Sequence, residues 1–163
     1  MKTISMTLAP DSIDKAIKEL QDYSKDLKEK THAISERLAS IGATNVSVTY
    51  AQAFYDGIRD VDISVEETDK GYKILASGET VLFLEFGAGV KYGSGHPLNG
   101  EFGMGPGTYN PTSENWKSPY GWWFGGKYGA EHTYGNPPSM AMYNTGKDLK
   151  REILRVAQEV FSS

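Results

Sequence analysis

Between Ser12 and Ile41, the apolar residues Ile13, Ile17, Leu20, Leu27, Ile34, Leu38 and Ile41 recur at spacings of 4, 3, 7, 7, 4 and 3. Such a stripe commits the chain to one helix roughly 45 Å long at about 1.5 Å per residue, with a single side to bury. Asp11 or Ser12 can cap its start, Gly42 reads as its stop, and Lys15, Lys18, Asp22, Lys25, Glu29 and Glu36 form a solvated opposite face. One heptad position is apolar throughout, but its partner reads Ile17, Ser24, Thr31 and Leu38, polar in the middle of any coiled-coil seam. The pattern therefore predicts a helix laid on a sheet.

Strand signals flank it. Residues Thr3 to Leu8 alternate Ile4, Met6 and Leu8 against hydroxyl residues, a short half-buried strand ended by Pro10. Val46, Val48 and Tyr50, then Val61, Ile63 and Val65, then Tyr72, Ile74 and Ala76 alternate likewise, separated by Asp56-Gly57 and Asp69-Lys70-Gly71, and predict an antiparallel meander. The run from Glu79 to Phe86 is too continuously apolar for a surface strand, and reads as a buried short helix or strand. Pro137-Pro138 opens a final helix over residues 139–161, with Met140, Tyr143, Leu149, Ile153, Val156, Ala157 and Val160 as its buried stripe, and with Gly146 as a point of close backbone approach.

Between Gly87 and Gly135 lie 13 of the 18 glycines, 10 of the 19 aromatic residues and all three tryptophans, with no helix or strand period. Disordered tracts are poor in aromatic residues, so this long loop is expected to order against something. The fold class these signals predict is α+β: one domain over residues 1–163, a small, mainly antiparallel sheet of three to five strands packed by a long N-terminal and a C-terminal helix, and the projecting loop 87–135.

Composition narrows the chemistry. The chain has no cysteine, which removes disulfides, thiol nucleophiles and Cys-ligated metals. A formal charge of −4 is the wrong sign for a protein whose main task is gripping phosphate backbones. No stretch has the apolar length of a signal peptide or a membrane span, so the expectation is a protein made in a cytoplasm with no membrane partner.

The remaining constellations are weak. Gly87-Ala88-Gly89-Val90-Lys91-Tyr92-Gly93 misses the dinucleotide pattern by one residue, and no Gly-Lys-Ser/Thr follows it. His32, His96 and His132 lack zinc-protease spacing, although His96 and His132 with Glu101 or Glu131 are a conceivable metal set. No nucleophile elbow is present, and Gly93-Ser94-Gly95-His96 does not make one. Glu85, Glu101, Glu114 and Glu131 could pair beside Trp116, Trp122 and Trp123 for glycan chemistry or glycan binding, but their spacing selects no pair. Aromatic residues that anchor an interface or a small core are the stronger reading.

The run Val81-Leu82-Phe83-Leu84-Glu85-Phe86-Gly87-Ala88-Gly89, followed by Trp122-Trp123 and by Thr133-Tyr134-Gly135-Asn136-Pro137-Pro138-Ser139-Met140-Ala141-Met142-Tyr143, resembles the HK97 gp10-like family of tailed-bacteriophage structural proteins. The order of parts is similar too: a long helix, a small antiparallel sheet, a "(V/L)E(F/Y)GTG" motif, a variable loop, a Pro-x-x-Phe-Met-like lead-in and a C-terminal helix. Ala88 stands where that family usually has Thr, and Ala141 where it has Phe.

The resemblance implies a head-tail joining, neck or tail-completion protein of the virion, with no catalytic residue and no cofactor. It would form a homo-oligomeric ring against connector or head-closure proteins on one side and tail-terminator or tail-tube proteins on the other. DNA would pass through without specific recognition, which an acidic wall suits because it repels phosphates. The expected contact residues are Trp116, Tyr120, Trp122, Trp123 and Phe124. Glu85 and Phe86, with Gly87 and Gly89, would fix the loop's root beside the C-terminal helix. The competing class is a carbohydrate- or host-surface-binding module built on the same tryptophans.

Overall fold

A computed structural model describes residues 3–55, 57, 59–92, 95–104, 115–126 and 129–162, with Trp116 and Gly126 described by their backbone alone. The fold is α+β. Its elements are α1 (Pro10–Gln52), β1 (Asp62–Thr68), β2 (Gly71–Ser77), α2 (Val81–Phe86), α3 (Asn99–Phe102), β3 (Trp122–Gly126), β4 (Gly129–Thr133) and α4 (Ala141–Ser162). A single 3-10 turn, Asn115–Lys117, precedes β3. Among the described residues no helix is long and apolar enough to cross a membrane.

α1 does not stop at Gly42. It runs through the residues whose alternation predicted a first strand, because Ala39, Gly42, Val46 and Tyr50 are buried at helical spacings of 3, 4 and 4. β-branched residues at 46, 48 and 49 favour strands locally, but packing on one side outweighs that preference. Gly42 is where a close approach is needed: a Cβ there would stand 2.9 Å from Leu149 Cδ1 on α4. Gly146, the expected contact point, has nothing within 4 Å of its Cβ position.

The two long helices run antiparallel. Lys30 stands over the Phe161 ring and Arg37 pairs with Glu159 at 2.6 Å, which places the C-terminal end of α4 beside the middle of α1. At 43 and 22 residues, α1 and α4 are about 65 and 33 Å long, so the first half of α1 projects past its partner. Ile17, Leu20 and Leu27 of the predicted buried stripe are exposed on that half, with Tyr23 beside them.

The expected sheet of three to five strands is instead two separate hairpins. β1 pairs antiparallel with β2 from Asp62↔Ser77 to Thr68↔Gly71, and β3 with β4 from Trp122↔Thr133 to Gly126↔Gly129. The β1–β2 hairpin lies on the second half of α1, with Tyr72 Oη 3.0 Å from His32 Nε2. Val61, Ile63 and Ala76 pack against a core of Val46, Tyr50, Val81, Leu84 and Ala141. Residues 3–9 form no strand: Met6 and Leu8 are exposed, and the β1–β2 hairpin lies along the far half of α1, beyond the segment's reach.

One local and one long-range set of hydrogen bonds hold the connection between α1 and α2. Arg59 donates to the Ala51 and Ala53 carbonyls at 2.8 and 2.6 Å, satisfying acceptors left over at the end of α1. The Asp60 carboxylate accepts from Glu79 N–H at 2.5 Å, from Thr80 N–H at 3.0 Å and from the Thr80 hydroxyl. These bonds, the Thr80 hydroxyl's first among them, hold its carboxyl below the usual carboxylate range.

Candidate functional site

The ambiguous run Val81 to Phe86 is a helix of little more than one turn, and its single carboxylate is the centre of the molecule's polar interior. Glu85 is 6% exposed. Its Oε2 accepts from Tyr50 Oη at 2.9 Å and from Met142 N–H at 3.0 Å; its Oε1 accepts from Tyr143 N–H at 3.0 Å and lies 3.3 Å from His96 Nε2. His96 Nδ1 accepts from Leu98 N–H at 3.1 Å, which assigns the ring hydrogen to Nε2 and makes the histidine a fourth donor to Glu85. A buried carboxylate is tolerable when its lone pairs are filled in this way. Burial pushes the Tyr50 hydroxyl far above the usual tyrosine range, with the Glu85 charge adding to it, so Tyr50 serves as a neutral donor.

Glu85 also caps a helix 57 positions away. The first turn of α4 presents unpaired N–H groups, and the residue before it, Met140, has no side-chain oxygen to offer. The carboxylate fills that place through Met142 and Tyr143, where its charge also suits the helix dipole. Met140 is held at φ 53°, a left-handed conformation unusual for a non-glycine residue, with its N–H on the Glu85 carbonyl at 3.2 Å.

The stretches 81–89 and 133–143 are thus stitched together. Ala88 and Asn136 form an antiparallel bridge, Ser139 N–H donates to the Leu84 carbonyl at 2.8 Å, and the buried Asn136 side chain donates to the Phe83 carbonyl at 2.8 Å. Gly87 and Gly89 have φ of 80° and 79°. A Cβ on Gly87 would meet Pro138 N at 2.8 Å, and one on Gly89 would meet Trp122 Cζ3 at 3.0 Å. Phe86 stacks obliquely on His96 at 4.2 Å between ring centroids and on Phe102 of α3 at 5.7 Å. Glu85 therefore joins the start of the 87–135 stretch to α4, and Phe86 ties that start to His96 and Phe102.

That stretch is not patternless. Its β3–β4 hairpin alternates faces: Trp122 is half-buried against Gly89, whereas Trp123 on the opposite face is 67% exposed. Trp123 meets His132 edge-on at 5.1 Å, His132 meets Tyr134 at 4.9 Å, and Lys91 Nζ sits 4.1 Å from the Tyr134 ring centre. Tyr120 is 82% exposed, and its carbonyl lies 3.0 Å from His132 Nε2. Phe124 is half-buried. Of the expected contact residues, Tyr120 and Trp123 are therefore on the surface, while Trp122 and Phe124 are partly occupied within the chain. The Trp116 side chain, with Tyr109, Glu114 and Tyr128, lies outside the described residues.

His96 and His132 have separate partners, Glu85 and the Tyr120 carbonyl, and among the described residues no three His, Asp or Glu gather as metal ligands. Sequence reasoning missed Tyr50 by placing it on a strand, and it considered His96 beside His132 rather than beside Glu85. The available signal was Glu85 itself, one carboxylate in an apolar run, which must be met by donors from elsewhere. No protein family, curated protein or solved structure matches the chain.

Proposed function

We propose that this chain is a structural subunit of a tailed bacteriophage, a head-tail joining, neck or tail-completion component that assembles into a homo-oligomeric ring and has no catalytic task. The observation that carries the reading is the division of labour around Glu85. The sequence stretches resembling the HK97 gp10-like family meet there as one interlocked unit, and that unit holds out a hairpin with Trp123 and Tyr120 uncovered. Exposed aromatic side chains on a well-anchored hairpin suit a surface that a neighbour will bury.

In this reading the partners are further copies of the chain, with connector or head-closure proteins on one side and tail-terminator or tail-tube proteins on the other. The place of action is the virion, and DNA crosses the ring without base recognition. The test is native mass of the full chain beside a Trp123→Ala, Tyr120→Ala double variant. The wild type should assemble as a ring, and the variant should run as the 17.9 kDa subunit with the same far-ultraviolet helical signal. A wild-type monomer retained on a glycan column would replace this reading with the carbohydrate-binding one.

A further inference from the structure

Residues Thr3 to Leu8 have the alternation of a strand, yet they are not in one. Among the described residues the segment's one hydrogen bond runs from Thr7 N–H to Ser12 Oγ, at 2.9 Å. Met6 is 64% and Leu8 92% exposed. The β1–β2 hairpin has the complementary deficiency: it is a two-stranded sheet, marginal by itself, with open backbone edges. Both strands touch α1, β2 through Ile74 at Gly42 and Tyr72 at His32, β1 through Glu67 near the same histidine; the outer edge of β1 is the one turned away from β2, and Val65 on β1 is exposed.

Resting on the ring reading above, we infer that residues 3–8 of one copy add to the outer edge of β1 of a second copy as a third strand. The segment cannot reach its own β1. The near end of β1 is marked by Glu67, whose Oε1 lies 3.9 Å from His32 Nδ1, and the strand runs from there toward Tyr50, where Ile63 packs. From Pro10 to His32 is about 33 Å of helix. The arm Thr3 to Ala9, fully extended, spans at most about 25 Å.

Charge selects the segment over another β1. Asp62, Glu66 and Glu67 give the edge three carboxylates and no cation, so two β1 edges would oppose like charges, whereas Thr3 to Leu8 carries no charge at all. The faces match as well. Ile4, Met6 and Leu8 continue the apolar side formed by Ile63 and Val65, covering Val65, while Thr3, Ser5 and Thr7 continue the polar side of Ser64 and Glu66. Such a contact joins two different surfaces of identical copies, the arrangement that closes rings.

The absence of cysteine makes the test direct. Ser5→Cys and Ser64→Cys, both at exposed positions, are prepared separately, mixed and oxidised. The mixture should give a cross-linked pair that neither variant gives alone. Ser5→Pro, which removes a strand N–H unused in the subunit, should drop the assembled mass toward 17.9 kDa with the helical signal unchanged. Cross-linking of Ser5→Cys with itself, or no cross-link in the mixture, overturns the inference. Should Ser5→Pro leave the ring intact while Trp123→Ala, Tyr120→Ala splits it, the strand exchange fails and the ring reading stands. A wild type that stays at subunit mass at every concentration sinks both.

Discussion

The polar knot at Glu85 and the β3–β4 hairpin stand side by side in the fold, and they treat chemically demanding side chains in opposite ways. At the knot, donors from α1, the 95–98 loop and α4 converge on one carboxylate that is 6% exposed. On the hairpin, Trp123 has edge contacts to one neighbour and is 67% exposed. A buried charge must be satisfied within the chain because the cost of leaving it alone is several kcal/mol. An exposed indole carries no such penalty, so its cover can be left to another molecule. The difference separates what holds this chain together from what it leaves uncovered.

Breaking the knot should have the largest effect on stability. Glu85→Ala strands donors from three elements and uncaps α4, a loss of about 3 to 5 kcal/mol that thermal or urea unfolding would read as a large drop in midpoint. Glu85→Gln should fall short of that but still lose roughly 2 to 3 kcal/mol, because an amide turns its NH2 toward two of the four donors. Tyr50→Phe removes one bond to a charged acceptor and should lose about 2 kcal/mol. If all three variants matched the wild type, the knot would not be what joins α1 to α4.

The hairpin should respond the other way. Trp123→Ala should change the stability of the chain by no more than about 0.5 kcal/mol and, on the proposed ring reading, weaken self-association, whereas Trp122→Ala, which empties the space above Gly89, should destabilise the chain by roughly 1 to 2 kcal/mol. Equal effects from the two neighbouring tryptophans would erase the contrast between the hairpin's faces.

The smallest effect is a pH dependence confined to acid. The folded Asp60 carboxyl lies below its unfolded value, so its contribution is complete above about pH 4 and lost as pH falls through the folded value, where the unfolded chain binds more protons. Asp60→Asn should flatten that limb of the stability profile and leave the neutral region's slope unchanged.

Periodicity read the long helices well and their ends poorly. The stripe from Ile13 to Ile41 is α1, but the continuation to Gln52 is written in Ala39, Gly42 and Val46, small or β-branched residues whose helical spacing matters only once α4 and β2 lie against them. The hairpin turn at Asp69-Lys70-Gly71 was legible because it is local. The β3–β4 hairpin was hidden by its glycines, which give no alternation, and because each face carries something aromatic. In the candidate site, Glu85 stood out as a carboxylate in an apolar run, while its pairing with Tyr50 and His96 did not, since both reach Glu85 from elements distant in the chain.

What the sequence determined alone is therefore whatever depends on near neighbours along the chain: two amphipathic helices, the first hairpin's turn, a cysteine-free acidic composition and a glycine- and aromatic-rich stretch between them. Tertiary structure alone decided which tryptophan turns inward, which strand keeps an open edge and what meets the lone carboxylate of an apolar run. Those outcomes depend on groups up to 58 positions apart being brought within 3.0 Å, and a hydrogen bond's short range leaves no trace in local pattern.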